Sequence, residues 1–135
     1  MSAIRIDHIQ IAAPERCEAA AREFYSGILG MVEIEKPGPL RARGGCWFQC
    51  GQHQLHIGVD KGFRPAKKAH PAFAVEKLEA LRENAHVHHV PAVAARVALL
   101  RHNYRIIDDE NLPGARRFYT EDPWGNRLEF LERRD

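Results

Sequence analysis

Four side chains that could bind a metal ion each lie inside a separate strand-like segment of the chain. Three are imidazoles and one is a carboxylate, namely His8, His56, His70 and Glu129. Nitrogen and oxygen donors of these kinds suit divalent transition metals, and most first-row ions accept them. The sequence therefore predicts that these four residues hold one divalent metal ion, which is Ni, Zn, Co, Mn or Fe.

The four predicted ligands form two pairs, and each pair opens and closes one half of the chain. His8 and His56 are 48 positions apart, and His70 and Glu129 are 59 apart. The difference, 59 − 48 = 11 positions, is assigned to an insertion at 84–93. This spacing predicts a duplicated scaffold with one metal ion between its halves.

Alternating and helical patterns give both halves the order strand, helix, three strands. In the first half, strands are predicted at 4–13, 31–36, 46–50 and 54–59, and a helix from Pro14 to Ile28. In the second half, strands are predicted at 70–75, 104–107, 116–120 and 127–132, and helices at 76–84 and 91–102. The second of these helices is expected to bury Val93, Val97 and Leu100. The fold class is therefore α+β.

A segment rich in Gly, Pro and Lys separates the two halves. Residues 61–69 are interpreted as a linker between module one, 1–60, and module two, 70–135. A chain of 135 residues is long enough for one compact domain that needs no disulfide. We expect a single domain over 1–135 that is built from these two modules.

The net charge and the cysteine content limit which kinds of binding partner and which cellular compartment we expect. The net charge is +2 with neutral histidines, and charges of both signs are interspersed. This balance gives no case for nucleic acid or an anionic membrane as the partner. No apolar run approaches the roughly 20 residues that span a bilayer. The three cysteines fit no CxxC motif, and their odd number without a signal peptide favours the cytoplasm.

The order of motifs along the chain resembles the vicinal-oxygen-chelate superfamily. Its most specific parts are FY-x-x-x-LG-M before position 32 and DP-x-GN-x-LE-x-x-E near the end. HIQIAA precedes the first of these motifs, and WFQCG, QLHIGV and HPAFAV stand between the two in that order. The superfamily includes glyoxalase I, fosfomycin-resistance proteins, methylmalonyl-CoA epimerase, extradiol dioxygenases and bleomycin-resistance proteins.

The resemblance implies two βαβββ modules that form a half-open barrel around a metal site, and a homodimer. It places the ligands on the first and last strands of each module, at His8, His56, His70 and Glu129. Glyoxalases commonly have glutamate where this chain has His56, and the insertion at 84–93 is a second departure from the pattern. Both departures separate this chain from a literal glyoxalase I.

Other side chains are candidates for binding substrate. Gln10 shares a strand face with His8 and is a candidate substrate contact or a donor that orients the ligands, with bonds to its own neighbours as the alternative. Trp47 is a further candidate, although the pattern does not decide whether Trp47 or Phe48 faces the cavity. Arg117 and Tyr119 share a face and are candidates for holding a carboxylate or phosphate, with surface pairing as the alternative.

The number of ligands bears on the reaction. With four protein ligands, a six-coordinate ion keeps two positions for adjacent substrate oxygens, which suits proton abstraction beside a carbonyl. A bidentate catechol plus dioxygen needs three positions, so a fourth ligand at His56 counts against an oxygenase. Glu129 is a predicted ligand and also the candidate general base, with a role as a ligand alone as the alternative.

These observations favour a metal-dependent lyase or isomerase of the glyoxalase type. Its substrate is expected to be a small oxygenated metabolite, such as a thiol adduct of a 2-oxoaldehyde. The alternatives are an extradiol-type dioxygenase, a thiol transferase acting on an antibiotic, and a non-catalytic drug-binding resistance protein.

Overall fold

The computed structural model describes residues 3–75 and 91–133. The chain divides into two compact units, Met1–Pro65 and Ala66–Asp135. The boundary between them lies inside the segment 61–69 that the sequence marks as a linker. The predicted helix at 76–84 and most of the predicted insertion lie outside the described residues.

The first unit is a four-stranded sheet in which the first strand pairs with the last. Its strands are β1 (His8–Ala13), β2 (Val32–Ile34), β3 (Cys46–Cys50) and β4 (His53–Val59). They lie in the order β1-β4-β3-β2, with β1 parallel to β4 and the other neighbours antiparallel. The long connection after β1 permits this parallel pairing, and the tight turn between β3 and β4 makes them antiparallel neighbours.

The helix after β1 begins later than the sequence predicts. Helix α1 covers Glu18–Ala21 and continues as a π-helical segment, Arg22–Ile28. Arg16 has a φ of 62°, which a right-handed helix does not accommodate. A turn at Glu15 and Arg16 separates Pro14 from the helix, so the prediction that Pro14 opens the helix is wrong. A 3₁₀ helix, Gly38–Arg43, precedes β3.

The second unit repeats the arrangement of the first. Its elements are β5 (Ala72–Ala74), α2 (Pro91–Arg101), β6 (Ile107–Asp109), β7 (Ala115–Glu121) and β8 (Arg127–Arg133). The strand order is β5-β8-β7-β6, with β5 parallel to β8 and the other neighbours antiparallel. Two βαβββ modules of an α+β fold are thus present, and neither sheet closes on itself.

Two element boundaries in the second unit differ from the prediction because of how α2 ends. Asn103 has a φ of 65°, and the Tyr104 N–H donates to the Leu99 carbonyl at 2.9 Å. This bond ties Tyr104 to the end of the helix, so the strand predicted at 104–107 begins only at Ile107.

The buried face of α2 also differs from the prediction. Ala95 and Leu99 are buried, whereas Val97 and Leu100 are exposed.

The core of each unit is aromatic. In the first unit, Tyr25 packs edge-on to Phe24 at 4.8 Å and contacts Phe48 at 5.8 Å between ring centroids. In the second, Phe130 lies 5.3 Å from Phe73 and 5.0 Å from Phe118. Because side chains alternate along a strand, burying these rings on one face turns the neighbouring polar residues to the other.

Candidate metal centre

His70 and Glu129 form a close polar pair in the second unit. The His70 Nε2 atom lies 2.8 Å from Glu129 Oε1. The His70 Nδ1–H donates to the Lys68 carbonyl at 2.7 Å. Since a carbonyl only accepts, Nδ1 carries a proton, and Nε2 is the atom that faces the carboxylate. The contact between Nε2 and the carboxylate requires a cation between them, either a proton or a metal ion.

Backbone hydrogen bonds fix the segment that carries His70. His70 precedes β5, so the prediction that it lies within this strand is wrong. The Arg127 N–H donates to the Ala66 carbonyl at 2.9 Å, and the Glu129 N–H donates to the Pro71 carbonyl at 3.1 Å. The buried Asn126 side chain accepts a bond from the Ala66 N–H at 2.9 Å. These contacts hold the chain beside β8 on both sides of His70, so the imidazole is positioned without being part of the ladder.

Arg117 pairs with two carboxylates. Its Nη1 atom lies 3.6 Å from Glu129 Oε2, and its Nε atom lies 3.3 Å from Asp109 Oδ1. Asp109 is opposite Arg117 in the register of β6 and β7. The two oxygens of Glu129 therefore face different partners, His70 on one side and Arg117 on the other. Substrate binding by Arg117 stays a prediction.

Tyr119 lies between two other charged or ionisable side chains of this face. Its ring is edge-on to His70 at 5.5 Å between centroids. The Arg127 guanidinium carbon lies 4.0 Å from the Tyr119 ring centroid. Tyr119 is also opposite Glu129 in the register of β7 and β8. The structure thus brings Tyr119 to the candidate ligands, as expected for residues that share a sheet face.

The first unit places two imidazoles and an indole in one stack. His56 lies nearly parallel to Trp47, with an interplanar angle of 2° and 3.7 Å between centroids. On its other side, His56 stacks with His8 at 4.2 Å and 18°. Trp47 is therefore on the face of the histidines, and Phe48 is buried in the core. Substrate binding by Trp47 stays a prediction.

His56 is held as a neutral ring. It is only 5% exposed, and its Nε2–H donates to Gln54 Oε1 at 2.9 Å. Burial, with a further contribution from His8, lowers the pKa of His56 below its usual value. A neutral imidazole is the form that binds metal ions.

Gln10 lies against the backbone of β4. A Cβ atom built at Gly58 would come 2.6 Å from Gln10 Nε2, so a larger residue at this position would displace the Gln10 side chain. Gln10 is opposite His56 in the register of β1 and β4. Its position beside the stack is established, and substrate binding by Gln10 stays a prediction.

The structure brings together His8 with His56 and His70 with Glu129, each pair in its own unit. Within neither unit do the described residues gather three or more His, Cys, Asp or Glu side chains into a group that could hold a metal ion. A shared site for all four ligands therefore stays a prediction.

The sequence did not identify three side chains that contact the candidate residues. Gln54 contacts His56, Asp109 contacts Arg117, and Arg127 contacts Tyr119. Gln54 shares a strand face with His56 by simple alternation, so that signal was present.

The whole chain is similar to solved structures of known families. The crystal structure of a protein from Bacillus anthracis assigned to the glyoxalase family is 44% identical, with 99% of each chain covered and a TM-score of 0.81. The lactoylglutathione lyase from Agrobacterium tumefaciens is 18% identical, with 95% and 92% covered and a TM-score of 0.65. The fosfomycin resistance protein FosX from Listeria monocytogenes is 14% identical, with 97% and 94% covered and a TM-score of 0.66.

This chain belongs to the glyoxalase family, within the vicinal-oxygen-chelate superfamily. The lyase and the resistance protein, at under 25% identity, show only that the fold is shared. No family model and no curated protein matches the sequence. Among the described residues, no helix is long and apolar enough to cross a membrane.

Proposed function

We propose that this protein is a metal-dependent lyase or isomerase of the glyoxalase type that acts on a small oxygenated metabolite. The observation that carries the proposal is the His70–Glu129 pair. A histidine that donates Nδ1–H to a backbone carbonyl and presents Nε2 to a second ligand has the usual arrangement of a metal-binding imidazole. Membership of the glyoxalase family supports the same reading.

The residues present fit a divalent transition metal. We propose His8, His56, His70 and Glu129 as ligands of one ion, which is Ni, Zn, Co, Mn or Fe. The buried Glu129 carboxylate supplies the only formal negative charge of the set, and the lowered pKa of His56 keeps that ring neutral. Binding through Nε2 would require His56 to give up Gln54, so His56 is the weakest of the four proposed donors.

The proposed reaction is proton transfer beside a carbonyl. A bound divalent ion would act as a Lewis acid toward two adjacent substrate oxygens. Glu129 takes the proton from the substrate carbon and returns it at the neighbouring carbon, while Arg117 contacts its second oxygen. A thiol adduct of a 2-oxoaldehyde has the required oxygens and the acidic carbon.

Partner and compartment are part of the proposal. We propose a homodimer that works on a small molecule in the cytoplasm, as the family resemblance implies. Light scattering of the purified protein would give twice the chain mass of 15.4 kDa.

The experiment is a paired activity assay of protein that has been stripped of metal and reloaded with each ion. Turnover of 2-oxoaldehyde–thiol adducts without oxygen, lost in His70→Ala, is the expected result. Oxygen-dependent turnover of a catechol would instead make the protein a dioxygenase. If the protein binds a drug or metabolite but no metal, the non-catalytic alternative replaces the enzyme.

A further inference from the structure

A cavity of the second unit lies beside Tyr119, which contacts the candidate ligand His70. A cavity of about 280 Å³ is lined in part by Lys67, Arg105, Ile107, Tyr119, Glu121 and Arg127. Ligand pockets usually measure about 300–1,000 Å³, so this cavity suits one small chemical group rather than a large ligand.

The charges around this cavity are unbalanced. Three cations, Lys67, Arg105 and Arg127, line it with one carboxylate, Glu121. Among residues 3–75 and 91–133, none of the three cations forms an ion pair with a carboxylate. Arg117 nearby is paired with Asp109 and Glu129. The cavity therefore has a local excess of positive charge that attracts an anion.

Arg127 is held in a geometry suited to anion binding. Its guanidinium lies over the Tyr119 ring, with 4.0 Å from the guanidinium carbon to the ring centroid. Such a cation–π contact restrains the planar group and leaves its N–H donors available at the edge. A restrained guanidinium loses less entropy on binding a carboxylate or phosphate with two parallel hydrogen bonds.

The position of Arg127 relates this cavity to the proposed reaction. Arg127 and Glu129 are two residues apart on β8 and share a sheet face, which separates their Cα atoms by roughly 7 Å. Tyr119 contacts both Arg127 and His70. A group held at Arg127 is therefore within the length of one small metabolite from the His70–Glu129 pair.

We infer that this cavity binds an anionic group of the substrate, a carboxylate or a phosphate, and that the substrate is an acidic metabolite. The inference rests on the proposed function, because it assigns the cavity to the substrate of that site. In this proposal Arg105, Arg127 and Lys67 contact the anionic group. The half-exposed Ile107 side chain offers an apolar wall for the adjoining carbon atoms.

The test is calorimetric titration with inorganic phosphate and with succinate, at constant ionic strength set with chloride. The proteins are the wild type, Arg105→Gln, Arg127→Gln and the control Arg101→Gln, which removes an exposed cation at the end of α2. We expect saturable binding of at least one of the two anions, weakened about 10-fold by each cavity substitution and unchanged in the control. Arg105→Gln, on an exposed side chain, keeps the test informative if Arg127→Gln does not fold.

The two anions distinguish a phosphate-bearing from a carboxylate-bearing substrate. No saturable binding, or an equal loss in Arg101→Gln, overturns the inference. Metal content measured on the same samples separates the two proposals. Metal without anion binding overturns only the anion site, and anion binding without metal overturns the proposed enzyme while supporting the anion site.

Discussion

The two units share a strand order but differ in the chemistry of their polar faces. His56 and Glu129 occupy matching positions, since each lies on the last strand of its unit, opposite an aromatic residue, Trp47 or Tyr119. In the first unit the central residue is a neutral ring stacked between two other rings. In the second it is a buried carboxylate between an imidazole and a guanidinium.

This difference shows that the repeated scaffold fixes positions, while single residues at those positions set the charge. A duplicated βαβββ module places an equivalent position on the last strand of each sheet. One of these positions holds an imidazole, His56, and the other holds a carboxylate, Glu129. The proposed metal site would thus receive its negative charge from the second unit alone.

Replacing Glu129 by Gln should weaken metal binding more than any other conservative change. The substitution removes the only formal negative charge of the proposed ligand set. Mutation of side chains that only orient a metal ligand typically lowers metal affinity about 10–100-fold. Glu129 is itself a proposed ligand, so we expect Glu129→Gln to lower metal affinity by more than about 100-fold. Competition titration with a metal chelator measures this.

The control for that change is Glu132→Gln, on the same strand but the opposite face. It should leave metal affinity unchanged. Equal losses in both variants would mean that general charge, rather than Glu129 itself, controls binding.

Gly45→Ala should destabilise the sheet that carries the ring stack by about 2 kcal/mol or more. Gly45 has a φ of 85°, and an added Cβ would come 2.0 Å from the Ile57 carbonyl oxygen. Gly51, with a φ of 58° and nothing within 4 Å of a Cβ, is the matched control. Gly51→Ala carries only the backbone cost of about 1 kcal/mol, and urea denaturation would separate the two variants.

Trp47→Leu should cost about 1 kcal/mol of stability, because it removes the indole that stacks on His56. The same change should abolish the quenching of tryptophan fluorescence by metal ions, if His56 is a ligand. Trp124 remains as an internal reference in this variant. Unchanged quenching in Trp47→Leu would mean that the metal does not reach the stack.

Stability should decline as the pH falls below about 6.5. Burial lowers the pKa of folded His56, so below pH 6.5 the unfolded chain binds the proton more readily than the folded protein does. This contribution is present above the unfolded pKa and is lost as the pH falls through the folded value. Urea denaturation between pH 8 and pH 5 should show a smaller decline for His56→Asn than for the wild type.

Strands that bury apolar side chains at every second position were the part of the fold that could be predicted. The predicted strand 4–13 begins only at His8, because Ile4 and Ile6 are exposed. The predicted strand 46–50 matches β3, and the strand 127–132 differs from β8 by one residue, because each buries apolar side chains at every second position. The predicted ends of the helices and strands were wrong where local backbone conformation determined them. Arg16 and Asn103, at positive φ, set the start of α1 and the end of α2, and apolar patterning carries no signal for either.

The candidate site was predictable within each unit for a topological reason. The first and last strands of a βαβββ module are neighbours, so the pairs His8 with His56 and His70 with Glu129 follow from their strands. The partners of Arg117 were not predictable in the same way. Asp109 lies on β6, which the sequence placed three residues too early.

Metal stoichiometry shows whether the pair His8 and His56 and the pair His70 and Glu129 bind the same ion. Wild type, His8→Ala and Glu129→Gln are each stripped, reloaded with nickel, zinc, cobalt, manganese or iron, dialysed and analysed for metal per chain. We expect about one equivalent in the wild type and a loss in both variants, since each removes a proposed ligand of the same ion. Retention of the full equivalent in His8→Ala, or a wild type that stays empty with every ion, would contradict it.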